Sequence, residues 1–171
     1  MLAREDIEEA VRTGSIVIEP FSAERINPNS YDVALGNWFI WLQKYHNRQP
    51  VYTDFWAMLE GEKLVYPPFG MLLGITLERV GTFGNIVGQI IAKSTTERGG
   101  IHIAQSAGLG DIGYNNHWTF AITCSIPGAV LEVGKPIAQM VFHTTDTATQ
   151  KPYKGQYAAQ DWPYSMIPRL Y

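Results

Sequence analysis

Short apolar runs broken by Gly, Pro and Asn occupy most of the chain after residue 63. Such runs predict β-strands, because β-branched and aromatic residues favour strands while Gly, Pro and Asn favour turns. The predicted strands cover residues 64–67, 71–77, 86–92, 101–105, 118–124, 130–133 and 137–143. Many short strands with regular turn signals are typical of a mainly β fold, either a sandwich or a barrel of the jelly-roll type.

The N-terminal segment has a different period. Ile7, Ala10 and Val11 recur at helical spacing, acidic residues come early in the segment, and Gly14 provides a stop signal. This pattern predicts a short N-terminal helix over residues 6–14. The aromatic and apolar residues of 53–59 could share one helical face, which suggests a second, shorter helix there.

The chain of 171 residues is predicted to form a single domain, because a hydrophobic content of 46% suffices for one core. Residues 144–171 are interpreted as a polar tail that docks on the rest of that domain. A formal net charge of −3 argues against nucleic acid or an anionic membrane as the main partner. The single Cys124 excludes an internal disulfide, and no signal peptide or membrane-spanning run is evident, so we expect a cytoplasmic protein.

Two polar loops are candidates for chemistry. Residues 93–100 combine two cations, hydroxyl groups and glycines, and residues 107–114 add further glycines with Asp111 and Tyr114. Cations and hydroxyls bind phosphate oxygens, and glycine lets the backbone approach a ligand closely. Asp111 can orient a hydroxyl or a water, and Tyr114 can lie against a sugar ring. The two loops together predict a site for a phosphorylated sugar, whereas either loop alone is typical of an ordinary hairpin turn.

Four motifs, at residues 16–36, 93–98, 107–114 and 134–142, resemble in order the dCTP deaminase branch of the dUTPase superfamily. The resemblance extends over nearly the whole chain. It implies a distorted jelly-roll or β-barrel of the dUTPase-like type and a homotrimer with shared active sites. The implied reaction is metal-independent hydrolysis of dCTP, or of a 5-substituted dCTP, to the dUTP product and ammonia in pyrimidine deoxynucleotide metabolism.

One position departs from the family pattern. Ten residues after Asp111, where the family has its catalytic glutamate, this chain has Ala121. The resemblance therefore implies an inactive Glu-to-Ala form, because alanine cannot transfer protons. An introduced substitution and a natural loss would both explain Ala121. A substitution is favoured because the other site residues persist around it, namely Ser94, Arg98, Asp111 and Tyr114.

The resemblance also assigns roles to the residues of the first loop and to Ala107. Ser94, Arg98 and the Ala107 backbone would position the attacking water and the amino group. Lys93, Ser94 and Thr95 would contact the triphosphate. Mg²⁺ would be bound through that triphosphate, and no zinc is expected.

The sugar and the far end of the nucleotide are assigned to the second loop and the tail. Asp111 would contact the sugar 3′-hydroxyl, and Tyr114 would stack on the deoxyribose. The family commonly has a phosphate-binding lysine where this chain has Gln156 in the tail. The nearby Lys154 could compensate for that lysine. The predicted substrate-binding set is completed by Thr119, Tyr153, Lys154, Gln156 and Gln160.

Zinc deaminases need a His-x-Glu motif and a Cys-x-x-Cys motif to hold the metal and move protons. This chain has one cysteine, and His117 is followed by Trp118 and Thr119, so zinc chemistry is excluded. Glu97 is interpreted as a solvated surface glutamate. All the histidines are interpreted as surface or packed residues, and they are His46, His102, His117 and His143.

Two further functions stay open. Asp111 could activate a water against the α-phosphate, which would give a dUTPase or a bifunctional dCTP deaminase and dUTP diphosphatase. A natural pseudoenzyme that binds deoxynucleotides without chemistry would also fit the loss of the carboxylate at Ala121.

Overall fold

The structure is a computed structural model that describes residues 1–67, 70–103 and 108–158. The described residues form two α-helices, α1 (Arg4–Thr13) and α2 (Ser94–Arg98), and a 3₁₀ turn at Ala23–Arg25. The strands are β1 (Ile16–Glu19), β2 (Ile26–Asn27), β3 (Ser30–His46), β4 (Gln49–Tyr52), β5 (Trp56–Ala57), β6 (Lys63–Val65), β7 (Met71–Thr82), β8 (Ile86–Ala92), β9 (Ile101–Ile103), β10 (Leu109–Gly110), β11 (Asn115–Cys124), β12 (Val130–Glu132) and β13 (Pro136–Thr144). The prediction of a mainly β fold with a short N-terminal helix is confirmed.

Eleven of the described strands form one antiparallel sheet in the order β10-β8-β13-β3-β7-β11-β9. Strand β1 pairs with β7, and β2, β4 and β5 pair with β3 at the sides of this path. Strands β6 and β12 pair only with each other in the described part of the chain. The large sheet curls into a half-barrel, which is the dUTPase-like architecture that the four motifs implied.

In strand β11, side chains that pack into the main core alternate with side chains on the opposite face of the sheet. Trp118, Phe120 and Ile122 point into the main core and are almost fully buried. Thr119 is exposed and Ala121 is half-buried, because successive side chains of a strand point to opposite faces. Position 121 therefore lies on the face away from the main core.

Helix α1 forms as the sequence predicted, but it begins two residues earlier and ends one residue earlier. The backbone N–H of Ala3 donates to Asp6 Oδ2 at 3.0 Å, which satisfies one of the free donors of the first turn. Ile7 and Ala10 bury the apolar stripe, and Gly14 ends the helix with a φ of 78° that glycine adopts without strain. No described helix combines the length and the apolar character that spanning a membrane requires.

The suggested helix over residues 53–59 is wrong. Strand β5 lies there and pairs with β3, opposite Trp38 and Phe39. The ring of Trp56 stacks on Phe39 at a centroid distance of 5.7 Å and on Trp41 at 6.1 Å. Burying this ring against a long strand stabilises the extended form more than a single helical turn could.

The predicted strands from residue 64 onward all have counterparts, except that residues 104–105 lie outside the described residues. The long strand β3 was not predicted. A turn lies at Pro28 and Asn29, and Tyr31 is fully buried within the strand. Polar Asp32 and Asn37 interrupt the apolar pattern of β3, which explains why the strand signal was weak.

A buried carboxylate connects β7 to β3. Glu78 is fully buried, forms an ion pair with Arg25, and accepts a hydrogen bond from Ala34 N at 3.0 Å. Burial raises the pKa of the Glu78 carboxyl, while the Ala34 amide and the Arg25 guanidinium act in the opposite direction. Removing Arg25 would leave this charge without its partner, so the pair is a structural element of the fold.

Candidate functional site

Helix α2 follows strand β8, and Lys93 links the two. Lys93 N donates to Ile137 O of β13 at 3.3 Å, and its Nζ forms an ion pair with Asp32 of β3. Asp32 also accepts a hydrogen bond from Asn27 at 2.8 Å. The Lys93 ammonium is thus already neutralised by a carboxylate within the domain. It holds the start of α2 against the sheet, and any phosphate would have to share it with Asp32.

One side of α2 faces a cavity of about 400 Å³. Thr95 and Thr96 supply hydroxyl groups to its lining, and Lys63 and Lys135 supply two cations. Glu132 lies between the two ammonium groups, 3.8 Å from Lys63 Nζ and 3.6 Å from Lys135 Nζ. Hydroxyls and ammonium groups are the donors that phosphate oxygens accept from, so this cavity suits an anion.

The other side of α2 carries a connected polar chain. Ser94, Glu97 and Arg98 stand at i, i+3 and i+4 and therefore share one side of the helix. Glu97 Oε2 lies 2.7 Å from His102 Nδ1, and His102 Nε2 lies 2.6 Å from Ser125 Oγ. Glu97 is exposed, in agreement with its interpretation as a solvated glutamate, and its carboxylate also contacts His102 of β9.

The second predicted loop is a tight turn between β10 and β11. Tyr114 N donates to Asp111 O at 3.0 Å, and Gly113 N donates to Thr82 O at 2.7 Å. Gly113 has a φ of 97°, and a Cβ at this position would meet Pro152 Cβ at 2.6 Å. Glycine is therefore required here both by the backbone conformation and by the close approach of the tail.

Tyr114 is packed between the sheet and the tail. Its hydroxyl donates to His117 O at 2.9 Å, and its ring lies edge-on to Trp118 at 5.5 Å and to Tyr153 at 5.7 Å. Burial raises the pKa of the Tyr114 phenol well above its ordinary value. The predicted stacking of this ring on a deoxyribose would have to take place beside Tyr153 or after Tyr153 moves.

The tail docks on the turn that carries Asp111. Tyr153 N donates to Ile112 O at 2.8 Å, and Tyr157 N donates to the Tyr153 hydroxyl at 3.2 Å. A second cavity, of about 450 Å³, lies at this junction and is lined by Asp111, Lys151 and Tyr153 among others. Tyr153 and Lys151 of the tail thus line the same cavity as Asp111, the predicted sugar-binding residue.

Ala121 lies in apolar surroundings on the outer face of the sheet. It packs against a small cluster whose buried members are Ile40, Leu73 and Ile75. In the ladder Ala121 is opposite Leu73 of β7. A carboxylate introduced at position 121 would be partly desolvated, and desolvation raises the pKa of a carboxyl group toward the range useful for proton transfer.

The comparison with known families shows which family the chain belongs to. The family described as dCTP deaminase-like matches residues 1–145. The chain belongs to this family. The family assignment agrees with the resemblance carried by the four motifs, and it spans every strand and both α-helices of the described structure.

Two relatives illustrate the dCTP deaminase-like family. A protein of Methanoculleus marisnigri named dCTP deaminase, dUMP-forming, is 33% identical over 162 residues, which cover 90% of this chain and 85% of the relative. A Clostridium botulinum protein of the same name is 36% identical over 148 residues, covering 83% of this chain and 82% of the relative. Both names give dUMP as the product, whereas the resemblance had implied dUTP.

The fold has a solved counterpart. The crystal structure of 2′-deoxycytidine 5′-triphosphate deaminase from Agrobacterium tumefaciens matches with a TM-score of 0.68 at 16% identity. The match covers 84% of this chain and 48% of that chain, so this chain spans about half the length of that protein. At such low identity the match establishes the shared fold.

The structure brings the predicted residues together in two groups. Lys93, Ser94, Thr95 and Arg98 gather on α2, and Asp111, Tyr114 and Tyr153 gather at the turn and tail. Lys154 and Gln156 are exposed in the tail, and Thr119 is exposed on β11. Ala107 and Gln160 lie outside the described residues. The cavities of the two groups share no lining residue within the part of the chain that is described.

Several polar residues near α2 were missed by sequence reasoning. His102 and Ser125 lie 23 positions apart in sequence, yet they meet because β9 pairs with β11 with His102 opposite Thr123. The alternation of β9 and β11 could have indicated this shared face, but the register could not be read from either strand alone. Among the described residues, no group of three or more His, Cys, Asp and Glu lies close enough to hold a metal ion.

Proposed function

We propose that this protein binds dCTP and that its native reaction converts dCTP to dUMP, ammonia and pyrophosphate. The observation that carries the proposal is the family match over residues 1–145, combined with the anion-suited cavity beneath α2. The names of the relatives support dUMP as the final product in place of dUTP.

The site is proposed to form between subunits of a homotrimer. Within the described part of one chain, the α2 cavity and the turn-and-tail cavity share no lining residue, although a nucleoside triphosphate needs phosphate, sugar and base contacts at once. A neighbouring subunit would bring the second group beside the first. Thr95 and Lys93 would then bind the triphosphate of a nucleotide whose sugar lies at Asp111 and Tyr114. Mg²⁺ would be held mainly by phosphate oxygens, which suit this hard cation.

Two hydrolytic steps are needed for dUMP. In the first, a water adds to C4 of cytosine, and Ser94 and Arg98 hold that water and the departing amine. In the second, a water held by Asp111 attacks the α-phosphate and displaces pyrophosphate. Because Ala121 cannot transfer protons, the first step is expected to be slow in this chain.

A deoxynucleotide-binding pseudoenzyme is the second candidate function. The observation that favours it is Ala121, whose methyl group packs into the apolar cluster of Ile40, Leu73 and Ile75 without leaving a titratable atom there. The two candidates share the same binding site and differ only in turnover.

Calorimetric titration with dCTP, CTP, deoxycytidine and dUTP tests the binding proposal. We expect dCTP to bind with Mg²⁺ present, CTP to bind at least about tenfold more weakly because Tyr114 leaves no room for a 2′-hydroxyl, and deoxycytidine to bind weakly because it lacks charge-assisted phosphate contacts. Light scattering of the same sample should give the mass of a trimer. Equal affinity for dCTP and CTP would contradict the sugar assignment, and tight binding by a monomer would contradict the shared site.

A further inference from the structure

The chain of hydrogen bonds from Glu97 through His102 to Ser125 offers a proton-transfer group that does not depend on position 121. The three side chains come from α2, from β9 and from the residue after β11. Both ring nitrogens of His102 are engaged, at 2.7 Å and 2.6 Å, so the ring has a fixed orientation. An Nδ1–H that donates to the carboxylate leaves Nε2 to accept from the Ser125 hydroxyl.

The location of this chain relative to the site residues gives it a function. Glu97 shares one side of α2 with Ser94 and Arg98, the residues proposed to hold the water and the amine. His102 is directly opposite Thr123 in the ladder, on the same face of the sheet as Ala121. Diagonal neighbours across an antiparallel pair have Cβ atoms about 7–8 Å apart, so His102 and Ala121 border the same region of the surface.

We propose that Glu97, oriented by His102, carries out the proton transfers of the slow deamination that remains when position 121 is alanine. The inference rests on the proposed function, because it needs dCTP in the site. Glu97 Oε2 is held by His102, while Oε1 has no hydrogen-bond partner among the described residues and can accept a proton. His102 is a positioning residue in this scheme, and Ser125 fixes the ring from the other side.

The proton transfers balance as follows. The Glu97 carboxylate takes a proton from water as the water oxygen bonds to C4 of cytosine, and it delivers that proton to N3. The tetrahedral centre then carries a hydroxyl and an amino group. The hydroxyl proton passes through Glu97 to the exocyclic amino nitrogen. The bond between C4 and that nitrogen then breaks, and ammonia leaves as the C4 carbonyl of uracil forms.

A purely structural role for the pair is the competing explanation. His102 and Glu97 side chains are 33% and 42% exposed, and a polar pair at such exposure contributes only about 0–1 kcal/mol to stability. Glu97→Gln keeps the size of the side chain and a hydrogen bond to His102 but removes the proton acceptor. The substitution therefore separates proton transfer from the anchoring of α2.

The experiment measures ammonia release and dCTP affinity in the full chain and in Glu97→Gln, Glu97→Ala, His102→Gln and Glu9→Gln. Glu9→Gln is the matched control, since it makes the same change at an exposed glutamate bonded to Arg12 on α1. We expect slow ammonia release from the unsubstituted chain and from Glu9→Gln. Glu97→Gln should lose about 10²-fold in kcat with dCTP affinity retained, which is the lower end of what general acid/base catalysis contributes. His102→Gln should lower kcat while leaving KM unchanged.

Added formate provides a readout that a structural role would not change. It should restore ammonia release to Glu97→Ala, where the side chain leaves room for a small carboxylate, and should not restore it to Glu97→Gln. Unaltered turnover in Glu97→Gln would overturn the inference, as would a chain that binds dCTP and releases no ammonia; the proposed binding function would survive both results. Absence of dCTP binding in the unsubstituted chain would overturn the proposed function itself, and the inference with it.

Discussion

Positions 97 and 121 have opposite surroundings, although each borders the same proposed site. Ala121 lies against Ile40, Leu73 and Ile75 on a sheet face without a charged neighbour in that cluster. Glu97 lies at the surface on a five-residue helix, and its carboxylate is fixed by His102. The apolar cluster would desolvate a carboxyl group placed at position 121 and so raise its pKa. The contact with His102 orients the Glu97 carboxylate but leaves it in water.

The difference explains why a carboxylate at 121 would be the better proton-transfer group. Partial burial raises a carboxyl pKa toward neutral pH, where a group can act as both acid and base. Without such desolvation a carboxylate is a weaker base and takes a proton from water less readily. The same comparison predicts that stability depends on the apolar region and that ligand affinity depends on the polar one.

The largest expected effect is on turnover. Ala121→Glu should raise ammonia release from dCTP by about 10²–10⁴, because it supplies the acid/base group that position 121 lacks. Ala121→Gln is the matched control, since it adds similar bulk without a titratable carboxyl and should leave the slow rate unchanged. Rates are compared at saturating dCTP and with 5-methyl-dCTP, which also shows whether the site admits a substituent at C5. Equal acceleration by Glu and Gln would show that bulk, and not proton transfer, is what position 121 lacks.

The next effect concerns stability. Leu73→Ala should lower the free energy of unfolding by about 2–5 kcal/mol, because it removes a buried side chain from the apolar cluster beside Ala121. Thr95→Ala, at an exposed position of α2, should change it by no more than about 0.5 kcal/mol. Urea denaturation of the two variants gives both values. A Leu73→Ala chain as stable as Thr95→Ala would remove the distinction between the two regions.

The smallest expected effect concerns binding. Thr95→Ala should weaken dCTP binding about tenfold, or about 1.4 kcal/mol, through the loss of one hydroxyl donor to a charged phosphate. Binding of deoxycytidine should be unchanged, because the nucleoside lacks the phosphates. Lys93→Ala should show a mixed result, with weaker dCTP binding and lower stability, since Lys93 is also the partner of Asp32. Equal losses of dCTP and deoxycytidine in Thr95→Ala would show that α2 does not contact the phosphates.

The sequence predicted the strands in which apolar and polar residues alternate because one face is buried. Trp118, Phe120 and Ile122 alternate with polar or small residues, so the period of β11 follows from burial on one face. Strand β3 was missed because Asp32 and Asn37 break its alternation for reasons that lie elsewhere in the fold. Asp32 is the partner of Lys93, which is 61 positions away in sequence.

The candidate site was readable only in part. The two polar loops and the position of Ala121 follow from motifs, which are local in sequence. The assembly of Glu97, His102 and Ser125 depends on the register between β9 and β11, which is a property of the folded sheet. His102 was therefore interpreted as a surface or packed histidine, and its contacts to Glu97 and Ser125 were not predicted.

The most direct test of the central claim is the identity and ratio of the products that Ala121→Glu forms from dCTP. The chain is incubated with dCTP and Mg²⁺, nucleotides are separated by chromatography, and ammonia and pyrophosphate are quantified in the same sample. The account predicts dUMP, ammonia and pyrophosphate in equal amounts, with no dCMP. Pyrophosphate and dCMP without ammonia would show that the site hydrolyses phosphate only, and a variant that folds and binds dCTP but forms no product would contradict the proposed deamination.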